Sequence, residues 1–600
     1  MDATLARTVT NLSKAVGKAM LGPDNAGKRG SGETLPIQAG LRNPFDHQKP
    51  LPADGIPGDN QAIPTNGNVR IDIRQSEHIG SRQSGVVKSG LMSTRLRAGA
   101  VRPLVRKHNF HVASGDMEFT MSQSETRMGN GTAVPEKWDE DTDVVVIGSG
   151  FAGLAAAIEI ADTGASVKVI EKMDKPGGNS MINGGQVAAA ASQWQEKQGV
   201  KDSPELMLKD MLAAGLDLNM VELARTVAEK SSETVNWTVE RLGAEYADRV
   251  NILGGHSVAR TLQTKNGHGS EIVNRQVAAL EKLGVKIEYN RQLTRLLQDA
   301  DGVTQGICIR DGYIHPETDS GTEKYIRAKK AVVLCSGGFS RDLHFRTIQD
   351  PRLTDAFDST NHPGATAEGL KSALKVGAAP VQLSWIQLGP WASPDEEGMG
   401  TGPGFAGGSA FPYGIMVDPS TGKRYVNELA DRKIRADAEL KIGHPSVAIC
   451  DQYGTKFIWW GLEKDLKNGV VKKFDTLAEL AADYDIPADA LAATVERYNG
   501  FVSNRHDEEF GKTFLDNVRP ITEPPFYAMH VWPKIHHTMG GIEINSKAQV
   551  VDLDGNVIPR LYAAGEVVGG VHGASRLGSV AIIDCLVFGR VAGQNAAAES

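Results

Sequence analysis

The chain is poor in cysteine, with only Cys308, Cys335, Cys450 and Cys585 among 600 residues. They are far apart and form no C-x-x-C. That excludes zinc ribbons, cysteine-ligated clusters and C-x-x-C-H haem attachment, and no metal site is expected. Nothing in the spacing suggests disulfides, so a reducing compartment is the simpler expectation. No run of 18 apolar residues occurs, so no membrane span is expected. The start, MDATLARTVTNLSKAVGKAM, lacks the apolar centre of a secretory signal, and a cytoplasmic location is expected. A basic excess is also missing. Lys and Arg number 65 against 73 Asp and Glu, for a formal charge of -8, which argues against a nucleic-acid partner.

Aromatic residues are nearly absent from the first 137 positions, which hold Phe45, Phe110 and Phe119 but no Trp, Tyr or Cys. Stretches such as LPADGIPGDNQAIPTNGN have no periodicity. Residues 1–137 are therefore expected to be a low-complexity, largely disordered extension. Within it, Leu5, Val9, Leu12 and Val16 recur at helical spacing over 3–20. A basic, partly apolar piece at 86–107 has no assignable role.

Glycine is abundant instead, at 66 residues, above the roughly 7% average. From Asp141 the sequence DTDVVVIGSGFAGLAAAIEIADTGASVKVIEK implies a buried strand, a glycine-rich turn, an apolar helix and a second strand. Gly148 permits the tight turn, Gly150 lets a pyrophosphate approach the backbone, and Gly153 lets helix and strand pack closely. The helix N-terminus faces the phosphates with its partial positive charge. Glu171 ends the second strand, where an acid accepts ribose hydroxyls. Strand, helix and acid together point to dinucleotide binding. Gly177-Gly178-Asn179-Ser180 and Gly184-Gly185 follow closely, and LYAAGE (561–566) returns near the C-terminus. Two glycine-bearing segments so far apart suit a long ligand held along its whole length, FAD rather than a transient NAD.

The segments GSGFAG, EK…GGNS, LCSGGFS (334–340), GKRYVNELADRK (422–433), HHTMGG (536–541), LYAAGE and HGASRLG (572–578) resemble the fumarate reductase/succinate dehydrogenase flavoprotein superfamily, in its soluble flavocytochrome-type branch. The resemblance covers about 138–600. It implies an α/β fold, with a Rossmann-like FAD-binding domain split between 138–383 and 537–600. A capping domain of α+β type, 384–536, is inserted between them. It implies FAD contacts from Gly148, Gly150, Gly153, Glu171, Lys172, Gly178, Asn179, Ser180, Gly185, Gly337, Gly565, Glu566, Arg576 and Ser579. Relatives in membrane complexes attach FAD through a histidine after the glycine pair; NSMINGG has none, so non-covalent FAD is implied.

In such relatives a hydride passes from the flavin to the β-carbon of an α,β-unsaturated acid, and the α-carbon is protonated. The resemblance assigns carboxylate binding to Arg576 and His537 and proton donation to Arg432. Arginine is chemically awkward as an acid because it ordinarily stays protonated. His536 and His572 are expected to be mainly structural, with His572 a secondary pocket candidate. The family usually has glycine where Ser579 stands.

The sequence departs from the fumarate pattern in one region. Gly389, in Trp385-Ile386-Gln387-Leu388-Gly389-Pro390-Trp391, stands where fumarate reductases carry a histidine for the second carboxylate. ASPDEEGMGTGPGFAGGSAFPYG offers neither their Thr-Glu pair nor their relay arginine. Hydrogen bonds to charged groups contribute about 1.5–3 kcal/mol each, so losing the receiving groups disfavours a dicarboxylate. A monocarboxylate 2-enoate of aryl- or imidazolyl-acrylate type is expected, with Gly389, Trp391, Phe411 and His572 as pocket residues. A separate electron donor, a redox protein or reduced flavin, is implied. Alternatives are a fumarate reductase/succinate dehydrogenase-like or ketosteroid dehydrogenase-like enzyme, and a non-catalytic flavin electron-transfer subunit.

Overall fold

The computed structural model describes residues 132–458 and 461–600. The expectations for residues 1–131 lie outside the described residues. The described residues begin slightly before the expected boundary at 138. The strand Arg291–Gln298 offers backbone groups at its end, where Gln298 N–H donates to Thr132 C=O at 2.8 Å and Ala133 bridges Gln298.

An eight-stranded mixed sheet forms the larger layer. Its main path runs Gln549–Val551, Val557–Ala563, Thr322–Leu334, Glu140–Ile147, Val167–Ile170, Ile287–Glu288, and two further strands, Arg291–Gln298 and Thr304–Asp311, join through Thr322–Leu334. The four central strands are parallel. Val144, Val145 and Val146 are fully buried, which explains why this strand is a continuous apolar run rather than an alternating one. Register decides the geometry of everything that follows. Ile147 lies beside Ile170 on one side and Leu334 on the other, and Leu334 beside Ala563. The loops after these four residues therefore emerge side by side, at the carboxyl edge where open α/β sheets bind ligands.

The helix Phe151–Asp162 packs on the sheet because Gly153 has no side chain; a Cβ there would stand 1.9 Å from Gly148 O. The closing helix Val580–Ala598 is long and apolar enough to cross a membrane by length and composition, which the absence of an 18-residue apolar run had not suggested. It is instead the core helix of this layer. Gly589 and Gly593 face the backbone of Ala152 and Ala156 so closely that a Cβ would stand 2.5 Å from each carbonyl oxygen.

The inserted segment builds a five-stranded antiparallel sheet in the order Lys423–Arg424, Ile415–Asp418, Ser446–Asp451, Phe526–Val531, Lys472–Phe474. This is the α+β unit expected from sequence. Its helix Arg432–Ile442 starts at Asp431, whose carboxylate accepts from Lys433 N (2.8 Å) and Ile434 N (3.1 Å), and ends at Gly443 in the left-handed region. A ribbon of Ile386–Gly389 and Lys534–Thr538 joins the two layers, pairing Gln387 with His537.

Candidate active site

The nucleotide loop is built as its motif requires. Gly148 has φ +100°, and the helix it leads into has neither a side-chain cap nor an acid in its first turn, leaving its positive end for an anion. Glu171 accepts from Ser149 N (3.0 Å), Ser149 Oγ (2.6 Å) and Met173 N (3.0 Å), so its carboxylate is fixed at the strand end. Ser180 Oγ accepts from Phe151 N at 3.0 Å. Gly178 and Gly337 both have positive φ and open space where a Cβ would stand, whereas Gly185 packs against Thr264 and Gly565 against Ala152 and Cys585. Lys172 pairs with Glu368 at 3.1 Å. Asn179 accepts from His362 N at 2.7 Å and bonds Asn361. Ser579, non-glycine at φ +58°, is steadied by Thr261 Oγ1 at 2.7 Å, and its carbonyl accepts from Ala188 N. Uncapped helix, open glycines and a buried, unpartnered Ser336 Oγ fit an extended dinucleotide such as FAD along this edge.

Three of the expected residues meet beside it. Arg576 and His537 are each 6% exposed, yet Arg576 Nε and His537 Nε2 have no hydrogen-bond partner among the described residues. His537 Nδ1 lies 3.5 Å from Glu566 Oε1, which accepts from Thr538 N at 2.9 Å. Arg432 comes from the cap helix, where its Nη1 donates to Gln387 Oε1 at 3.0 Å and its guanidinium lies over the Trp391 ring at 4.6 Å. Gln387 in turn donates to Ser575 Oγ (2.9 Å) and Arg576 O (3.2 Å). This glutamine was missed as a functional residue; its place directly across the ribbon from His537 emerges only with the register.

The cluster is strongly positive. Burial lowers the proton affinity of Arg432 well below its usual range, and the charges of Arg576 and Arg435 add to this. Burial brings Arg576 down to about 10, against the opposing charge of Glu566. Burial, then Arg576 and the neighbouring histidines, hold His537 well below the usual imidazole range, so the ring is neutral and has one N–H to give. Burial raises Glu566, with the Thr538 bonds opposing. Buried donors without partners, in a field this positive, form a site for an anion. The lowered proton affinity also eases the objection to arginine as an acid.

The secondary pocket residues divide. A Cβ on Gly389 would lie 3.3 Å from Trp391 Cζ2 and 3.4 Å from His536 Cβ, so the indole packs against the place a histidine would need. Trp391 also meets His536 edge-on at 5.0 Å, and His536 Nδ1 is 2.8 Å from Thr360 Oγ1. His572 lies 5.4 Å from His537, ring to ring, with its Nε2 3.2 Å from Asp584. Phe411 is 3% exposed in the cap core under Arg435, at 4.8 Å, and backs the packing around Trp391. Asp395 pairs with His530 at 2.9 Å, and Glu396 accepts from Thr401 N and Gly402 N. Both acids line a surface cavity of about 920 Å³ whose lining includes none of Arg432, His537 and Arg576.

Comparison with known proteins agrees with this edge. The FAD binding domain family matches residues 143–582. The chain belongs to that family. It is an FAD-dependent flavoprotein oxidoreductase. It is 42% identical over 463 residues to the acrylate reductase flavoprotein subunit of Shewanella woodyi, covering 76% of this chain and 91% of the relative. It is 31% identical over 481 residues to the urocanate reductase of Eggerthella lenta, covering 77% and 76%. Among solved structures, the open conformation of a flavocytochrome c3 fumarate reductase superposes with TM-score 0.64 at 33% identity, covering 77% of this chain and 79% of the other.

Proposed function

We infer that this flavoenzyme reduces the C=C bond of an α,β-unsaturated monocarboxylate, and the packing of Trp391 favours a compact acrylate over the larger aryl- or imidazolyl-acrylates expected from sequence. The observation that carries the reading is the contrast between the two ends of the site. Arg576 and His537 present unpartnered donors, while beyond Arg432 the ring of Trp391 packs against Gly389. Relatives are named as reductases of acrylate, urocanate and fumarate, unsaturated acids that share an enoate and differ at the end away from it.

Arg576 grips the substrate carboxylate through its guanidinium edge, and neutral His537 donates one further bond. The Gly148–Gly153 turn, Glu171 and Ser180 would hold FAD non-covalently, and bound there it would supply hydride chemistry at the β-carbon. Negative charge then grows towards the carboxylate, where the Arg576 and His537 donors are already aimed and need no reorganisation. Arg432, steadied by Gln387, gives a proton to the α-carbon. The insertion 384–536, which carries Arg432, acts as a cap that excludes water. Electrons arrive from a separate donor.

The test is anaerobic photoreduction of the bound flavin, followed by addition of acrylate, methacrylate, cinnamate, urocanate or fumarate. Acrylate is expected to reoxidise the flavin fastest, and Arg432→Ala to abolish this. Failure of every enoate, or faster oxidation by fumarate, overturns the reading.

A further inference from the structure

The cap helix Arg432–Ile442 carries Arg432, Arg435 and Glu439 at i, i+3 and i+7, one above another on one face. Arg432 enters the site. Glu439, at the other end, is fully buried, and neither carboxyl oxygen has a hydrogen-bond partner among the described residues. Between them Arg435 lies over the Phe411 ring at 4.8 Å with its Nε unpartnered. Burying a carboxyl without partners is costly, and an apolar side chain at 439 would pack in the cap core without that cost. Residues 398–417, which pack around Phe411 and Trp391, contain no charged side chain, whereas the helix face behind Arg432 carries two.

We propose that Arg435 and Glu439 are a proton relay that reloads Arg432 along one face of its own helix. The proposal rests on Arg432 being the proton donor of the preceding section. Cationic Arg432 gives an N–H proton to the substrate α-carbon and becomes a neutral guanidine. Arg435, which makes no hydrogen bond to Glu439 at rest, passes a proton to Arg432 and takes one from the Glu439 carboxylic acid once its side chain swings from Phe411 to the acid. Two guanidinium ions and one carboxylate remain. Solvent hydronium then reprotonates Glu439 from the helix end, where Lys441 and Gly443 are exposed within about one turn. Each cycle moves one solvent proton to the substrate, and no electrons travel along the helix.

The electrostatics agree with this order. Burial holds the Glu439 carboxyl well above the usual range, with Arg435 opposing, so the acid is stocked with a proton. Burial also lowers Arg435, with Glu439, Asp431, Tyr425 and Glu428 opposing. Besides Arg435 on its own helix, Tyr425 faces Glu439 from the preceding segment, its hydroxyl donating to Ser446 Oγ at 2.9 Å, and Glu428 lies beyond it.

The experiment uses photoreduced holoenzyme mixed anaerobically with acrylate in H2O and D2O across pH. If no enoate reoxidises the wild-type flavin, the underlying reading falls and the relay with it. With the wild type active, Glu439→Gln is expected to slow reoxidation by about 10²-fold, the scale of one proton-transfer step. Propionate affinity and melting temperature should stay unchanged, and the solvent isotope effect should rise. The wild-type rate should fall as pH rises through the raised Glu439 value, and the variant should lack that limb. Arg435→Leu should share this signature, and Glu439→Asp should recover part of the rate. A wild-type rate and pH profile in Glu439→Gln overturns the relay. So does a slower rate matched by equal losses of propionate affinity and melting temperature, which marks a structural role.

Discussion

Gln387 Oε1 accepts from Arg432 Nη1 at 3.0 Å, while the same amide donates to Ser575 Oγ and to the carbonyl of Arg576. One side chain thus ties Arg432 of the cap to the loop that holds Arg576. Its worth follows from its partners. A hydrogen bond to a charged group contributes about 1.5–3 kcal/mol, and each 1.36 kcal/mol in the transition state is about tenfold in rate. Gln387→Leu is therefore expected to lower kcat by about 10- to 160-fold with little change in KM, measured with acrylate and a reduced dye. An unchanged kcat would remove Gln387 from the site.

The nucleotide half of this site was legible because its signals are local. Gly148, Gly150, Gly153 and Glu171 lie within one strand–turn–helix–strand unit, and each glycine has a steric reason that one window of sequence reveals. Arg432, His537 and Arg576 were legible only through resemblance, since they converge from a cap helix, a ribbon and a C-terminal loop. Gln387 needed the ribbon register, and the Arg435–Glu439 pair needed the helix start at Asp431 before its i, i+3, i+7 spacing had meaning. Phe411 was placed beside the pocket by chain proximity, but its ring turns into the cap core under Arg435.

The glycine turn gives a second prediction. A Cβ on residue 153 would stand 1.9 Å from Gly148 O and 3.3 Å from Val146 Cγ1. Backbone on one side and a buried strand on the other leave no flexible atom to yield. Gly153→Ala is expected to cost at least about 1–3 kcal/mol through overpacking and to displace the helix end from the phosphates. The flavin-to-protein ratio of the purified variant should fall well below that of wild type.

The cap core supplies a prediction about stability. Arg424, 1% exposed in its side chain, bonds Glu428 at 2.8 Å and Asp507 at 2.9 Å, and Lys512 Nζ lies 3.4 Å from Glu428. Breaking such a buried pair by removing one partner costs about 3–5 kcal/mol, the loss expected for Asp507→Leu by denaturant titration. Burial alone would raise the Asp507 carboxyl, but the Arg424 bonds and charge and the N–H donors of Lys512 and Phe510 hold it below its usual value. Its contribution is therefore complete above the unfolded value of about 3.9 and is lost as pH falls through the lower folded value. The melting temperature of wild type should drop in that acid window, and that of the variant should drop less.

Trp391 sets the last expectation. Its ring holds the Arg432 guanidinium at 4.6 Å and closes against Gly389 and His536. Removing it has two effects of opposite sign for different substrates. The cation–π contact contributes about 0.5–2 kcal/mol, so Trp391→Ala should cut kcat/KM for acrylate about 2- to 30-fold as Arg432 loses its support. The same truncation opens space beyond the arginine, so an arylacrylate should lose less than acrylate, or gain. The ratio of cinnamate to acrylate kcat/KM should thus rise in Trp391→Ala. It should stay near wild type in Trp391→Phe, which keeps an aromatic face at the same place. Equal losses for both substrates in the alanine variant would mean that the indole supports Arg432 without setting the length of the pocket.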